Sequence, residues 1–277
     1  MNILTTIAEK TKERIAGEKN LLSLAALRAQ AESSSQKLPA FAFEQALRKP
    51  GLQFICEVKK ASPSKGIIAE DFPYLSIARE YQEAGAAAIS CLTEPYWFLG
   101  SDQYLREIAA EVSIPVLKKD FTIDEYMIYQ ARAYGASAVL LICSILDDDQ
   151  LKAFGQLAQE LGLSVLVEAH TEEEIHRALS CGARIIGVNN RNLKDFQVDV
   201  SNSLKFRQMI PPEVVFVSES GVQTPEDTRK LYENGTDAVL IGETLMRSPN
   251  KKKTLYQLKK QEETYDQNKN LRSVPPL

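Results

Sequence analysis

The chain has 277 residues, of which 44% are hydrophobic and 25% charged, and its 33 basic and 37 acidic side chains leave a net charge of −4. These values are typical of a globular chain and exclude a disordered, collagen-like or low-complexity protein. The acidic balance argues against nucleic-acid binding, because proteins that bind the phosphate backbone usually carry a basic excess.

The first predicted elements, over residues 1–50, are helices that precede the first strand. We expect this helical extension to pack over the bottom of the following domain, with a contribution to the substrate-binding end as the alternative. The amino-terminal segment lacks the apolar run of a signal peptide. The longest strongly apolar stretch, 138–143, is far shorter than the roughly 20 residues of a membrane helix. We therefore expect no membrane segment and a cytoplasmic location.

The main domain is marked by a repeat in which a glycine precedes a small residue and an apolar run, at Gly85, Gly135, Gly182 and Gly235. Glycine suits a helix end because it adopts the left-handed conformation without a Cβ clash. Further strand candidates alternate with these repeats, at 54–59, 115–120, 164–169 and 214–220. Short apolar strands alternating with amphipathic helices predict a parallel sheet. Eight such units over about 200 residues predict one α/β domain, a (β/α)8 TIM barrel.

We place the barrel at 51–265 and a disordered tail at 266–277. Four widely spaced cysteines without a C-x-x-C pair predict reduced thiols in a cytosolic core. The alternatives are a disulfide or a metal site. With only two histidines and no further cluster of metal ligands or nucleotide-binding motif, we expect no metal and no cofactor.

Polar side chains follow the strand alternation toward one end of the predicted barrel. They are Glu57 with Lys59 on the first strand, Lys119 on the third, Glu168 on the fifth, Asn189 with Arg191 on the sixth, and Ser218 with Ser220 on the seventh. Singly, each has a structural alternative, such as a Glu57–Lys59 ion pair or a loop cap at Asn189. Buried charges are costly, so five strands with this pattern indicate an active site at the carboxyl ends of the strands.

Two glycines predict where a phosphate group binds. Gly221 follows the seventh strand in SESGV, and Gly242 follows the eighth in IGETLM. Backbone N–H groups in the loops after these two strands bind phosphate in many barrels. Ser62 and Ser64 add hydroxyl donors in a long loop after the first strand, which could act as a mobile lid. The sequence therefore predicts a phosphorylated small-molecule substrate.

Taken together, these segments resemble the indole-3-glycerol phosphate synthase family of tryptophan biosynthesis. The resemblance covers roughly residues 1–260 and rests on the ordered motifs CEVKKASPSKG, LTEPYWFLGS, VLKKDF, LVEAHTEEE, IGVNNRNL, SESGV and LIGETLMR. It implies a carbon–carbon lyase that closes the indole ring of 1-(2-carboxyphenylamino)-1-deoxyribulose 5-phosphate, with loss of carbon dioxide and water. Such a reaction needs a general acid, a general base and cations that hold the carboxylate and the phosphate.

The resemblance also implies catalytic roles at the motif positions. Lys119 would be the principal general acid, and Glu168 the general base. Lys59 would hold the substrate carboxylate or serve as the second acid, Glu57 would orient and tune the lysines, and Asn189 would hold Glu168 or the substrate hydroxyls. A lysine among cations in a partly dry site should have a lowered pKa, which a neighbouring glutamate opposes. We expect the lowered value, which suits an acid near neutral pH.

The implied substrate-binding positions are Ser62, Phe98, Phe121, Arg191, Ser220, Gly221, Leu240, Gly242 and Glu243. Phe98 and Phe121 would wall the anthranilate ring, and Arg191 would lie near its carboxylate. Some relatives carry serine where this chain has Glu243, whose carboxylate would repel phosphate. We therefore expect only the backbone N–H of Glu243 to contribute, with its side chain turned away.

Two alternative functions are less compatible with these residues. Phosphoribosylanthranilate isomerase, another phosphate-binding barrel, would require a cysteine base after the first strand and an aspartate acid after the seventh. This chain has Glu57 with Lys59 and Ser220 at those places. A non-catalytic phosphoribosyl-binding protein need not retain both Lys59 and Lys119. We expect a monomer, because no exposed apolar stripe stands out, and association with other enzymes of the pathway is left open.

Overall fold

A computed structural model describes residues 3–192 and 196–260 of the chain. The described residues form a closed barrel of strands, which are β1 Gln53–Val58, β2 Ala88–Leu92, β3 Val116–Lys119, β4 Ala138–Ile142, β5 Ser164–Ala169, β6 Ile185–Asn189, β7 Val215–Glu219 and β8 Ala238–Ile241. The helices are α1 Ile3–Leu21, α2 Leu24–Ser33, α3 Ala42–Leu47, α4 Tyr74–Glu83, α5 Asp102–Glu111, α6 Glu125–Ala133, α7 Asp148–Glu160, α8 Glu172–Ser180, α9 Ser201–Phe206, α10 Pro225–Glu233, α11 Glu243–Arg247 and α12 251–260.

The strands confirm the predicted (β/α)8 barrel. Each barrel strand pairs in parallel with the next along the chain, and β1 pairs with β8 to close the sheet. The four repeat glycines, Gly85, Gly135, Gly182 and Gly235, all have φ between 81° and 84°, directly after α4, α6, α8 and α10. Side chains rarely adopt this left-handed conformation, so the glycines end these helices and turn the chain into the next strand.

The apolar core has two layers that follow the predicted alternation. On β1, Ile55 faces the barrel interior, where it packs with Leu117 of β3 and Leu166 of β5. Phe54 and Cys56 face outward against the surrounding helices. All four cysteines are free thiols, and three of them are buried. A long loop that contains a short hairpin, Ala61–Ser62 with Gly66–Ile67, connects β1 to α4.

The amino-terminal helices pack at both ends of the barrel. Phe43 and Leu47 of α3 pack with the interior core at the bottom, where the backbone N–H of Glu44 donates to Ser164 Oγ at the start of β5, 3.1 Å away. Leu4 and Ile7 of α1 instead reach the cavity at the opposite end. The expected bottom cap therefore describes α3, and the alternative, a contribution to the substrate-binding end, describes α1.

The remaining expectations concern membrane helices and the limits of the barrel. No helix of the described residues is long and apolar enough to cross a membrane. The division at residues 50 and 265 stays a prediction, and the tail predicted at 266–277 lies outside the described residues.

Candidate active site

A cavity of about 380 Å³ opens at the carboxyl ends of the strands. It is lined by all fourteen residues to which the family resemblance assigned a catalytic or substrate-binding role: Glu57, Lys59, Ser62, Phe98, Lys119, Phe121, Glu168, Asn189, Arg191, Ser220, Gly221, Leu240, Gly242 and Glu243. Ile3, Leu4 and Ile7 of α1 complete one wall. The tertiary structure therefore gathers candidates from seven strands or the loops after them into one space.

Five buried charges, which we call the inner cluster, form the polar part of this cavity: Glu57, Lys59, Lys119, Glu168 and Glu219. Lys119 Nζ lies 3.1 Å from Glu168 Oε2 and 3.4 Å from Glu219 Oε2. Lys59 Nζ lies 2.6 Å from Glu57 Oε1. The carboxylates of Glu57, Glu168 and Glu219 are at most 6% exposed, and the two lysines about 15%. Each lysine is thus paired while its ammonium group still reaches the cavity.

Glu219 is the residue that the sequence analysis missed, because it assigned the polar face of β7 to Ser218 and Ser220. In the structure, Val215 and Val217 face the interior, so Glu219 follows them inward. Ser218 faces outward, where its hydroxyl lies 2.8 Å from Ser203 Oγ. The alternation of Val215, Val217 and Glu219 was the signal that could have found this residue.

Backbone geometry explains how Glu219 and Ser220 both reach the cavity. Ser220 has φ 66°, so it leaves the strand alternation and turns its hydroxyl toward Asn189, where it donates to Oδ1 over 3.0 Å. Gly187 of β6 makes room for Glu219, since a Cβ there would lie 2.1 Å from Glu219 Oε1. Within the described residues, that oxygen has no hydrogen-bond partner.

The pKa of each inner-cluster acid or base reflects competition between burial and neighbouring charges. Burial alone would lower the pKa of Lys119, but attraction to Glu168, Glu219 and Glu57 outweighs it and raises the pKa. The expected lowering of the Lys119 pKa is therefore wrong, because the attraction of the glutamates outweighs burial. Burial would raise the pKa of Glu168, yet Lys119 and His170 hold it below its ordinary value.

Glu219 shifts in the other direction. Burial, with repulsion from Glu168 and Glu57, raises its pKa to about 8 despite the attraction of Lys119. A single ammonium group cannot keep both neighbouring carboxylates charged in a buried site, and Glu168 has the additional attraction of His170. At neutral pH the Lys119 ammonium therefore lies between a charged Glu168 and a mostly protonated Glu219.

Asn189 connects the base candidate to the phosphate loops. Its amide Nδ2 donates to Glu168 Oε1 over 3.4 Å, and its Oδ1 accepts from Ser220 Oγ and from the backbone N–H of Arg191, each at 3.0 Å. The orientation of the amide is set by these donors, which leaves Nδ2 toward Glu168. Asn189 thus orients the carboxylate of Glu168 toward the cavity.

Two aromatic rings also line the cavity. The rings of Phe98 and Phe121 are 6.1 Å apart between centroids. The loop that presents Phe98 wraps around the carboxylate of Glu94, which accepts hydrogen bonds from the backbone N–H groups of Tyr96, Trp97 and Phe98. This buried carboxylate fixes the loop, so the ring of Phe98 is preorganised.

The expected phosphate end has closely packed glycines. A Cβ on Gly242, directly after β8, would lie 2.4 Å from Glu57 Oε1 and 2.8 Å from Lys59 Nζ, so a larger residue there would displace the ion pair. Gly221 has φ 92°, which strains other residue types. Ser62 Oγ lies 3.5 Å from Ser64 Oγ in the hairpin loop after β1.

The side chain of Glu243 does not turn away from this end of the cavity. Its carboxylate lies 3.6 Å from Lys65 Nζ, 3.5 Å from an Arg191 nitrogen and 3.2 Å from Arg247 Nε. The expectation of a distant side chain overlooked these cations, whose attraction holds the carboxylate at the cavity rim. Arg191 therefore pairs with Glu243 at the cavity rim. Among the described residues, no group of three histidine, cysteine or acidic side chains is arranged to hold a metal ion.

Comparison with known proteins identifies close relatives. A profile of the family described as indole-3-glycerol phosphate synthase matches residues 4–258. Proteins named indole-3-glycerol phosphate synthase are 53% identical in Lachnoclostridium phytofermentans and 55% identical in Ruminiclostridium cellulolyticum. These alignments cover 93% and 89% of this chain, and 98% and 94% of the two relatives.

Solved structures with lower sequence identity share the barrel. A 3-hexulose-6-phosphate synthase from Salmonella typhimurium superposes with a TM-score of 0.64 at 11% identity, over 77% of this chain and 100% of that one. KGPDC from Streptococcus mutans superposes with a TM-score of 0.62 at 10% identity, over 77% and 98%. At these identities the likeness shows the fold alone.

Proposed function

Because the chain belongs to the indole-3-glycerol phosphate synthase family, we propose how the residues at its barrel mouth divide the work of that family's reaction. The chain is a carbon–carbon lyase of tryptophan biosynthesis that converts 1-(2-carboxyphenylamino)-1-deoxyribulose 5-phosphate into indole-3-glycerol phosphate, carbon dioxide and water. The ring carbon that bears the carboxylate attacks the ribulose carbonyl. The carboxylate then leaves as carbon dioxide, and the hydroxyl formed from the carbonyl leaves as water.

Lys119 acts as the principal general acid. Its ammonium group reaches the cavity while Glu168 and Glu219 hold it at 3.1 and 3.4 Å. It protonates the carbonyl oxygen as the new carbon–carbon bond forms, which removes the charge that would otherwise develop there. The substrate carboxylate and phosphate add negative charge around the site. The raised pKa keeps Lys119 protonated before the reaction, and the donated proton must be recovered for each turnover.

Glu168 acts as the general base. Its lowered pKa keeps the carboxylate ionised at neutral pH, so it can accept the proton that leaves the methylene carbon next to the nitrogen when the hydroxyl departs as water and the five-membered ring becomes aromatic. Asn189 orients Glu168 through a hydrogen bond of 3.4 Å. The two shifts leave Lys119 protonated and Glu168 ionised before the reaction, which are the states that a general acid and a general base need.

Lys59 and Glu57 form the second acid–base pair of the cavity. Lys59 holds the substrate carboxylate or donates the proton to the departing hydroxyl, and Glu57 orients it through their 2.6 Å contact. Glu219 holds Lys119 from the other side and, being mostly protonated at neutral pH, is a further proton donor that faces the cavity.

The apolar and loop residues bind the two ends of the substrate. Phe98 and Phe121 wall the anthranilate ring, and Leu240 contributes apolar surface from β8. The phosphate binds beside Ser62 and the turn at Ser220, on the backbone N–H groups of the three residues Gly221, Gly242 and Glu243. Arg191 exchanges its contact with Glu243 for an anionic group of the substrate.

The observation that carries this proposal is the position of Lys119 between Glu168 and Glu219 at the cavity. The test is to add the carboxyphenylamino substrate to the purified chain in the presence of a metal chelator and to record indole fluorescence. Product should form in the wild-type chain and not in Lys119→Met. Absence of product from the folded wild-type chain would overturn the proposed function.

We propose that the chain acts as a monomer. The large apolar side chains that are exposed in the described part of the chain are few: Leu21, Ile67, Tyr96, Val198 and Tyr256. They belong to separate segments, and such single exposed residues do not form the apolar patch typical of an obligate interface. Light scattering during size-exclusion chromatography should give a mass near the 30.9 kDa of one chain. A mass of twice this value would contradict the proposal, and added enzymes of the pathway would reveal association.

We also propose a cytoplasmic location. Its support is that all four cysteines are free and that their side chains are buried or partly buried in a core that needs no disulfide. Cell fractionation with an antibody against the chain would test this, and recovery with the membrane or an exported fraction would contradict it.

A further inference from the structure

His170 lies directly after β5, and its ring is held between two carboxylates. Nε2 lies 3.3 Å from Glu168 Oε1, and Nδ1 lies 3.4 Å from Glu174 Oε2. The side chain is 17% exposed, and both ring nitrogens are buried without a well-formed hydrogen bond to the described residues. The ring therefore contacts the proposed base on one side and a second acid on the other, while His170 itself does not line the cavity.

The second carboxylate is fixed by the start of α8. Glu174 Oε2 accepts the backbone N–H of His170 over 2.6 Å. The backbone N–H of Glu174 in turn donates to the hydroxyl of Thr171, which caps the helix, over 3.2 Å. Because both contacts involve the backbone of the turn, Glu174 cannot move without disrupting the helix start. The ring of His170 is thereby held in place from the side opposite to Glu168.

A ring in this position is best satisfied when it carries a positive charge. Neutral imidazole has one donor and one acceptor nitrogen, so one nitrogen would face a carboxylate lone pair to lone pair, whereas imidazolium donates from both. Burial alone would lower the pKa of His170, but Glu174, Glu168 and Glu219 outweigh it and raise the pKa. Lys119 contacts Glu168 at its other carboxylate oxygen, Oε2.

This inference rests on the proposed role of Glu168 as the general base. We propose that His170 is a positioning residue. Its protonated ring holds Oε1 of Glu168 beside the start of α8 and keeps that carboxylate ionised, so that it can accept the substrate proton. Lys119 and His170 then hold the two oxygens of Glu168 from opposite sides. The chain uses Lys119 for the reaction itself, so His170 supplies a positive charge that remains while Lys119 donates its proton.

The first test is the pH dependence of turnover in His170→Asn, with His176→Asn as the matched control. His176 lies on α8 and is exposed, so its replacement removes a histidine without touching the site. Loss of the positive charge should move the acidic limb of the kcat profile upward by about one pH unit, which lowers kcat up to about tenfold at pH values below that limb and leaves it nearly unchanged at neutral pH. KM should change less than twofold, because His170 does not line the cavity. The control should retain the wild-type profile.

A second measurement reads the charge of the ring without substrate. The chain has two histidines, so nuclear magnetic resonance of chain labelled at histidine gives two imidazole signals, which His176→Asn assigns. His170 should titrate above the ordinary imidazole pKa of about 6.5, and Glu174→Gln should lower its titration point. This measurement stands even if the wild-type chain forms no indole product, so failure of the proposed function and failure of this proposal are distinguishable.

Two results would overturn the proposal. One is a His170 ring that is neutral throughout the pH range in which the wild-type chain is active. The other is a His170→Asn chain whose kcat falls equally at every pH, which indicates a merely structural role. If His170→Asn does not fold, Glu174→Gln provides the same comparison: a shift of the acidic limb in the same direction, by a smaller amount, supports the proposal, and an unchanged limb contradicts it.

Discussion

Two groups of buried charges lie on opposite faces of β3, and neighbouring residues of the chain contribute to them. Lys119 belongs to the inner cluster, whereas Lys118 belongs to an outer cluster with Arg14, Asp102 and Asp120. Lys118 pairs with Asp102 and lies 3.5 Å from Asp120, which also accepts two hydrogen bonds of 2.9 Å from Arg14. The outer cluster thus has two cations and two carboxylates.

The two clusters differ in charge balance and in what they open onto. In the outer cluster, burial would raise the pKa of Asp120, but Arg14 and Lys118 outweigh it and lower the pKa. In the inner cluster, two lysines face three glutamates, and the pKa of Glu219 rises to about 8. The balanced outer cluster fixes α1 to the carboxyl end of β3, through the contact of Arg14 with Asp120. The unbalanced inner cluster holds exchangeable protons beside the cavity, which is what acid–base chemistry requires.

The largest expected effect is the loss of turnover when a lysine of the inner cluster is replaced. Lys119→Met should reduce kcat about 1,000-fold or more, because the variant has no acid at the carbonyl oxygen. Binding of the product should survive, since the phosphate loops and aromatic wall are unchanged. Single-turnover kinetics and product titration measure the two quantities. Near-normal turnover would contradict the assignment of Lys119 as the acid.

The same substitution one residue earlier should act on stability. Lys118→Met leaves Asp102 and Asp120 short of one buried cation, so the free energy of unfolding should fall by about 3–5 kcal/mol. Its kcat, measured where the variant is folded, should stay within a few-fold of wild type. Urea denaturation and steady-state kinetics check both. A loss of turnover as large as that of Lys119→Met would remove the distinction between the clusters.

The unbalanced charge of the inner cluster also predicts how stability depends on pH. The folded chain retains the Glu219 proton up to about pH 8, whereas the unfolded chain releases it near pH 4.5. The folded state therefore binds more protons between these values, so this contribution to stability is full below pH 4.5 and is lost as pH rises through 8. Glu219→Gln should remove roughly 4 kcal/mol of this pH dependence between pH 5 and pH 9. Denaturation of both chains at pH 5, 7 and 9 measures it, and parallel curves would contradict the raised pKa.

The smallest effect concerns the cations at the cavity rim. Glu243→Gln frees Lys65, Arg191 and Arg247 from a partly exposed carboxylate, and such pairs contribute at most about 1 kcal/mol. Inorganic phosphate should therefore bind up to about fivefold more tightly. Calorimetric titration at low and moderate salt tests this, with weaker binding in the variant as the contrary result.

The sequence alone predicted the architecture and most of the site because both follow local rules. Glycines at 85, 135, 182 and 235 mark helix ends wherever the helices pack, and the two-residue alternation of a strand determines which side chains share a face. That alternation correctly predicted that the side chains of Lys119 and Glu168 point into the barrel. On β7 the alternation was assigned in the wrong phase, because Ser220 reaches the cavity through a positive φ, whereas Glu219 follows Val217 inward along the strand.

Only the tertiary structure decided what the inward charges do to each other. The pKa directions of Lys119 and Glu219 depend on distances between β3, β5 and β7, and these follow from closure of the barrel rather than from any local pattern. The position of α1 was also decided by the tertiary structure. Its hydrophobic residues are compatible with packing at either end of the barrel, and the ion pair between Arg14 and Asp120 is formed only at one of them. A local pattern specifies which face a residue occupies, whereas electrostatic energies depend on separations across the chain.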